Sequence, residues 1–203
     1  LIRKGEVIAF PTETVYGLGA NALDTLSVSK IYRIKGRPSD NPLIVHIADM
    51  KTFRTLVTEI PPTANKIIKK FWPGPITLVL RKSKILPKIT TGGLSTVAIR
   101  MPRNKVALEL IKKSGYPIAA PSANTSGKPS PTHANHVKED LDGKIKLILD
   151  GGSTEIGIES TVIDMTAQIP TILRPGGISK ESIEDEIGNV NFHNSLVGLS
   201  THK

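Results

Sequence analysis

The chain has 203 residues, with 27 Lys+Arg against 18 Asp+Glu and a net charge of +9. It contains no cysteine, which excludes a disulfide scaffold, a thiolate zinc site, an iron–sulfur cluster and a cysteine nucleophile. Aromatic residues are only 4%, which argues against a stacking platform for single-stranded nucleic acid, and no apolar run approaches the ~20 residues of a membrane-spanning helix.

A chain of this size buries roughly 70% of its unfolded surface, so it can support a core without staples. The opening Leu1-Ile2-Arg3-Lys4-Gly5 lacks the basic-then-apolar order of a signal peptide. A cytoplasmic protein that has lost a few residues before Leu1 is expected. The basic surplus suits anionic partners such as nucleotides, RNA or an acidic protein, and equally a basic protein with no such partner.

Strand-like and helix-like segments alternate, which predicts a mixed α/β domain. In chain order, Val7–Phe10 reads as a buried strand ended by Pro11. A helix capped by Asp24 or Ser27 runs to about Lys35, and Pro42–Ile47 is a strand. Pro61–Phe71 reads as a helix ended by Trp72-Pro73-Gly74-Pro75, followed by strands over Ile76–Leu80 and Thr96–Arg100. Lys105–Lys113 is an amphipathic helix. Strands are predicted over Pro117–Ala120, Ile145–Leu149, Thr161–Asp164 and Thr171–Leu173. A helix capped by Ser179 closes the domain at Ile187. Residues 1–188 are read as one domain, and 189–203 as a tail or the start of a linker.

Polar residues that strands do not explain gather at strand ends. In Pro11–Gly19, two threonines, Glu13 and Tyr16 precede Gly17 and Gly19. The glycines would permit close approach of a ligand or a positive φ, and the segment reads equally as a strand-to-helix turn. Lys35 and Arg37 leave a helix end beside Asn41: a point charge and a planar fork that suit a polyphosphate or carboxylate, or a basic helix terminus. Ser122, Asn124 and Ser130 lie in a Ser-rich loop where Thr132 could cap the next helix, a setting that can collect phosphates. Gly157–Asp164, Arg100 and Arg174 complete the set. His46 stands among apolar strand residues and reads as a satisfied core histidine, while His133, His136, His193 and His202 read as surface residues. No pair has zincin spacing. Open α/β sheets bind ligands in the crevice at the carboxyl ends of strands, so these groups predict alignment of an anionic ligand by positioning and charge.

Eight stretches then carry a resemblance: PTETVYGLG from Pro11, KGRP from Lys35, NPLIVHI from Asn41, FWPGPITLVL from Phe71, VAIRMP from Val97, APSANTSGKPSPT from Ala120, GIESTVID from Gly157 and ILRPGGIS from Ile172. In this order they resemble the YrdC-domain family, the threonylcarbamoyl-AMP synthases that begin threonylcarbamoyladenosine formation in tRNA. The resemblance implies a twisted open α/β sheet domain around a large positively charged cavity. It implies conversion of L-threonine, bicarbonate and ATP to threonylcarbamoyl-AMP and pyrophosphate, with Mg²⁺ bound through the nucleotide and no protein ligand for it.

The resemblance places Thr14, His46, Arg100, Ser122 and Ser160 around threonine. It places Arg37, Asn41, Thr96, Ala120, Ser130 and Arg174 on ATP. Lys35, Arg37, Ser122 and Asn124 form the catalytic set, with Lys35 and Arg37 on the α-phosphate and carbamate oxygens and Asn124 orienting phosphate or metal-bound water. Tyr16 walls the pocket. The implied partner is a tRNA threonylcarbamoyl transferase that receives the product, with weak RNA binding as an addition. A longer branch of the family adds a linker and a second domain, so the chain is expected to be the short form or a fragment ending near Lys203. Two other readings stand beside this one: a basic RNA-binding module without catalysis, and a carbamoyl-transfer module of a hydrogenase-maturation protein.

Overall fold

The computed structural model describes residues 1–197. Strand β1 (Ile8–Phe10) turns back into β2 (Gly17–Asn21), pairing Ile8 with Gly19 and Phe10 with Gly17. The second strand replaces the turn expected at Pro11–Gly19, because its glycines serve packing. A Cβ on Gly19 would lie 2.6 Å from the Phe10 ring and 2.7 Å from Ile118. Neither Gly17 nor Gly19 has a positive φ.

Helix α1 (Thr25–Lys35) is capped by Asp24, whose carboxylate accepts from the backbone N–H of Leu26 and Ser27. It ends at Gly36, whose φ of 62° is left-handed and needs a glycine. Strand β3 (Ile44–His46) follows. Helix α2 (Met50–Leu56), capped by Asp49, was not anticipated because it is barely two turns long. Helix α3 (Pro62–Phe71) starts with proline at its first position. Then come β4 (Ile76–Arg81), β5 (Thr96–Arg100), α4 (Lys105–Ser114) and β6 (Ile118–Ala119).

Helix α5 (Ala134–Leu141) begins after His133 with no side-chain cap, so Thr132 does not cap it. The strand expected over Ile145–Leu149 is an irregular segment. It touches β1 through one isolated bridge, Ala9 to Ile148. Strands β7 (Thr161–Asp164) and β8 (Thr171–Arg174) precede α6 (Lys180–Ile187), which Ser179 caps as expected. Residues 191–192 add a short strand, β9 (Asn191–Phe192), parallel to β8.

The nine strands form one open mixed sheet in the order β1-β2-β6-β3-β5-β4-β7-β8-β9. Pairs β3/β5, β4/β7 and β8/β9 are parallel and the rest antiparallel. Strand alternation decides where the site lies. Val45, Leu78, Leu80, Val97, Ile99 and Ile163 face a core shared with α1, α2, α3 and α6. Each fully buried Leu or Ile there contributes about 1.5–3 kcal/mol. Helix α4 covers the other face only near β1 and β6, where Ala107 and Ile111 meet Ile8, Phe10 and Ile118. Over the middle strands that other face carries His46, Ala98, Arg100, Val79 and Val162, and it opens onto a cavity. The crevice expected at carboxyl ends of parallel strands is therefore replaced by a hollow against the sheet face, since antiparallel pairing puts strand ends at both edges.

Candidate active site

The β1–β2 loop delivers the first group. Thr12 Oγ1 donates to the carbonyl of Val15 at 2.6 Å and lies 2.9 Å from Thr14 Oγ1. This tight turn buries Glu13 completely. Arg100, at the end of β5 and 3% exposed, donates from Nη1 to Thr14 Oγ1 at 2.8 Å and from Nε to the carbonyl of Gly74 at 3.2 Å. Its Nη2 lies 2.7 Å from Glu13 Oε1 as an ion pair without hydrogen-bond alignment. Burial pushes the Glu13 carboxyl up, the charge of Arg100 pulls it down, and the net lies below the ordinary range.

His46 is the β3 residue opposite Arg100. Burial, and then the charge of Arg100, push its imidazole down to about 3, so it is neutral at physiological pH. Its Nδ1 is buried without a partner. It is therefore a cavity residue with an unmet hydrogen-bonding atom, and the satisfied core histidine expected from its neighbours is not found. His133, His136 and His193 are exposed, as expected; His202 lies outside the described residues.

On the opposite wall, Ser160 Oγ lies 2.8 Å from Thr77 Oγ1. Arg174 donates from Nη2 to Ser160 Oγ at 3.1 Å and from Nε to the Ser160 carbonyl at 3.1 Å. Its Nη1 is paired with Glu159, whose other oxygen accepts from Ser130 Oγ at 3.0 Å. Tyr16 walls one side, its hydroxyl donating to the carbonyl of Gly152 at 2.7 Å.

The end of α1 sends its two cations to different places. Arg37 lines the cavity, fixed to Asn41 and to the carbonyl of Pro42 at 3.2 Å, and makes no ion pair among the described residues. Lys35 turns inward and is 2% exposed. Its Nζ donates to the carbonyl of Ser122 at 2.6 Å, to the carbonyl of Asn124, and to Asn124 Oδ1 at 3.4 Å. Those contacts occupy all three of its donors. Burial, and then the charge of Arg37, lower its pKa to about 8. Asn124 spends its amide on the carbonyls of Thr125 and Lys128, at 3.0 and 2.7 Å.

The cavity, about 460 Å³, thus gathers Thr14, His46, Arg100, Ser122 and Ser160, together with Arg37, Asn41, Thr96, Ala120 and Arg174. Lys35, Asn124 and Ser130 do not line it. Of its three arginines, two are matched by Glu13 and Glu159. Among the described residues no three His, Asp or Glu side chains come together as metal ligands. Nor is any helix there long and apolar enough to cross a membrane.

The sequence profile of the Sua5/YciO/YrdC family, described as "Telomere recombination", matches residues 1–176. The chain belongs to this family. It is 59% identical over 199 residues to the threonylcarbamoyl-AMP synthase of Pyrococcus abyssi, covering 98% of this chain and 58% of that protein. It is 58% identical to the Bacillus subtilis protein of the same name, covering 97% of this chain and 57% of that one. A crystal structure described as P. abyssi Sua5 complexed with L-threonine superposes with a TM-score of 0.96 at 58% identity, over 100% of this chain and 59% of that one. The chain thus spans a little under three fifths of these relatives' length.

Within this Sua5/YciO/YrdC domain, Glu159 and Asp164 also line the cavity, and Glu13 and Thr77 brace Arg100 and Ser160; the sequence pattern assigns none of the four a role. A legible signal existed for Glu13. A carboxylate flanked by threonines, directly after a buried strand, must find a buried cation, and Arg100 was the strand-end candidate. Nothing comparable marks Thr77, an ordinary strand residue.

Proposed function

We propose that this domain makes threonylcarbamoyl-AMP and pyrophosphate from L-threonine, bicarbonate and ATP. The observation that carries this reading is the gathering of Thr14, His46, Arg100, Ser122 and Ser160 in one cavity, with Arg37 and Arg174 on its walls. Arg100 receives the amino-acid carboxylate, and the hydroxyls with neutral His46 meet the ammonium and side-chain hydroxyl. The threonine nitrogen attacks the bicarbonate carbon; water and a proton leave, giving the carbamate. A carbamate oxygen then attacks the α-phosphorus, and the bond to pyrophosphate breaks. Arg37, free of a carboxylate partner, meets the phosphate charge that develops. Lys35 fixes the carbonyls of Ser122 and Asn124, setting the loop that forms this wall.

Mg²⁺ enters with the triphosphate and offsets its charge. No protein ligand is assigned to it. The reading needs an ATP-containing setting such as the cytoplasm, and a transferase that accepts the product for tRNA. Weak RNA contact fits the cleft behind α1, lined by Lys30, Arg33, Lys144 and Lys146. The test is pyrophosphate release from ATP, Mg²⁺ and bicarbonate with and without L-threonine. Release that depends on threonine is expected, and release indifferent to threonine overturns the reading.

A further inference from the structure

A carboxylate of the chain itself lies against the cavity's basic wall. Glu159 joins one oxygen to Ser130 Oγ and the other to Arg174 Nη1. Arg37, on the same cavity wall and without an ion pair among the described residues, also feels its negative charge. A carboxylate and a phosphate ask the same of an arginine, two oxygens for a planar fork. We propose that Glu159 is a stand-in anion: its carboxylate holds the phosphate subsite of the free domain, and a nucleotide binds by exchanging a phosphate for it. This rests on the ATP-dependent reading above and names the residue that competes for that site.

The local geometry allows the exchange. Glu159 lies in an irregular segment between Gly157, whose φ is 76°, and the start of β7. Its side chain is 35% exposed, so it can rotate into solvent. Its backbone stays fixed, because the carbonyl accepts from the N–H of Gly177 at 3.2 Å. Only a side-chain rotation is needed. While the carboxylate is in place it directs the Arg174 guanidinium into the cavity; once phosphate arrives, like charges drive it out.

The test compares the full chain with Glu159→Gln, which keeps shape and removes charge, and Glu159→Ala. Binding of Mg²⁺–ATP and of inorganic pyrophosphate is measured by calorimetry without threonine, and Tm is measured with and without ATP. Both variants should bind ATP about two- to fivefold tighter, the scale of removing one half-exposed competing ion pair. Their Tm without ATP should equal or fall below that of the parent, and the rise on adding ATP should be larger. A merely structural role for Glu159 would weaken binding and shrink that rise. ATP binding by the parent chain that both variants leave unchanged or weaken overturns this inference alone. Absence of nucleotide binding in all three overturns the ATP-dependent reading and this inference with it.

Discussion

Glu13 and Arg100 are each other's counter-ion inside the protein, 2.7 Å apart with side chains 0% and 4% exposed. The two residues come from a loop and a strand 87 positions apart, and they meet only because β1 and β5 lie in one sheet. Replacing Glu13 by Gln strands the guanidinium charge in the interior. The expected cost is about 3–5 kcal/mol of stability, read by denaturant unfolding at neutral pH. In any variant that still folds, KM for threonine should rise more than kcat falls, because Arg100 loses its orientation. The pH dependence has a definite sign. Glu13 titrates lower folded than unfolded, so its contribution is complete at neutral pH and is lost as pH falls through the carboxylate range. A Gln variant as stable as the parent would show that the pair does not hold the site.

His46 should not act as a pH switch. Its imidazole is pushed from 6.5 down to about 3, with burial first and the Arg100 charge second. Below about 6.5 the unfolded chain takes up this proton and the folded one does not, so stability declines as pH falls from there toward about 3. The ring resonances of His46 should stay constant between pH 5 and 8 in an NMR titration. A midpoint near the ordinary value would place the ring in water and remove it from the cavity wall.

Lys35 and Arg37 share a helix end, and their substitutions should separate. Lys35→Met leaves two carbonyls of the Ser122–Asn124 loop without their donor, at about 1–3 kcal/mol of stability. Amide exchange at Ala123 and Ser126 should quicken, since their bonds to Tyr16 and Lys35 depend on the loop staying docked. Arg37→Ala should leave stability nearly intact and cost about 2.7–4 kcal/mol of transition-state stabilisation. Arg37→Lys should not restore turnover, because the fork is lost. If Lys35→Met slows turnover without loosening the loop, its ammonium acts on substrate rather than on the wall.

What was legible in the sequence follows from the range of the forces involved. Caps and stops are local, so Asp24, Ser179 and Gly36 could be read from neighbours in the chain. Strand β2 could not, because Gly17 and Gly19 carry no apolar side chain. Their purpose is to leave room for Phe10, which only the folded sheet brings beside them. Of the motif residues, Thr14, Arg37, Arg100 and Ser160 line the cavity. The direction in which Lys35 points was hidden. It depends on carbonyls 87 and 89 residues away, which no spacing encodes. The same holds for Glu159, whose partners Ser130 and Arg174 come from separate loops and strands.

On the proposed function, substrate choice follows from what lines the cavity around Arg100. Thr14, Ser122, Ser160 and neutral His46 present hydroxyls and an imidazole nitrogen, and the Nδ1 of His46 is still without a partner. Such a wall reads the ammonium, carboxylate and hydroxyl that serine shares with threonine. What separates the two is one methyl group, worth about 1–3 kcal/mol or roughly 10–200-fold in kcat/KM. Valine keeps the shape and loses the hydroxyl. It leaves buried polar atoms facing a methyl group, a defect that can reach about 10⁴-fold. The expected order is threonine, then serine, with valine far behind, measured as pyrophosphate release at subsaturating amino acid. Valine turning over as fast as serine would mean that the hydroxyl is not read, and the polar wall of Thr14 and Ser160 would have to serve another group.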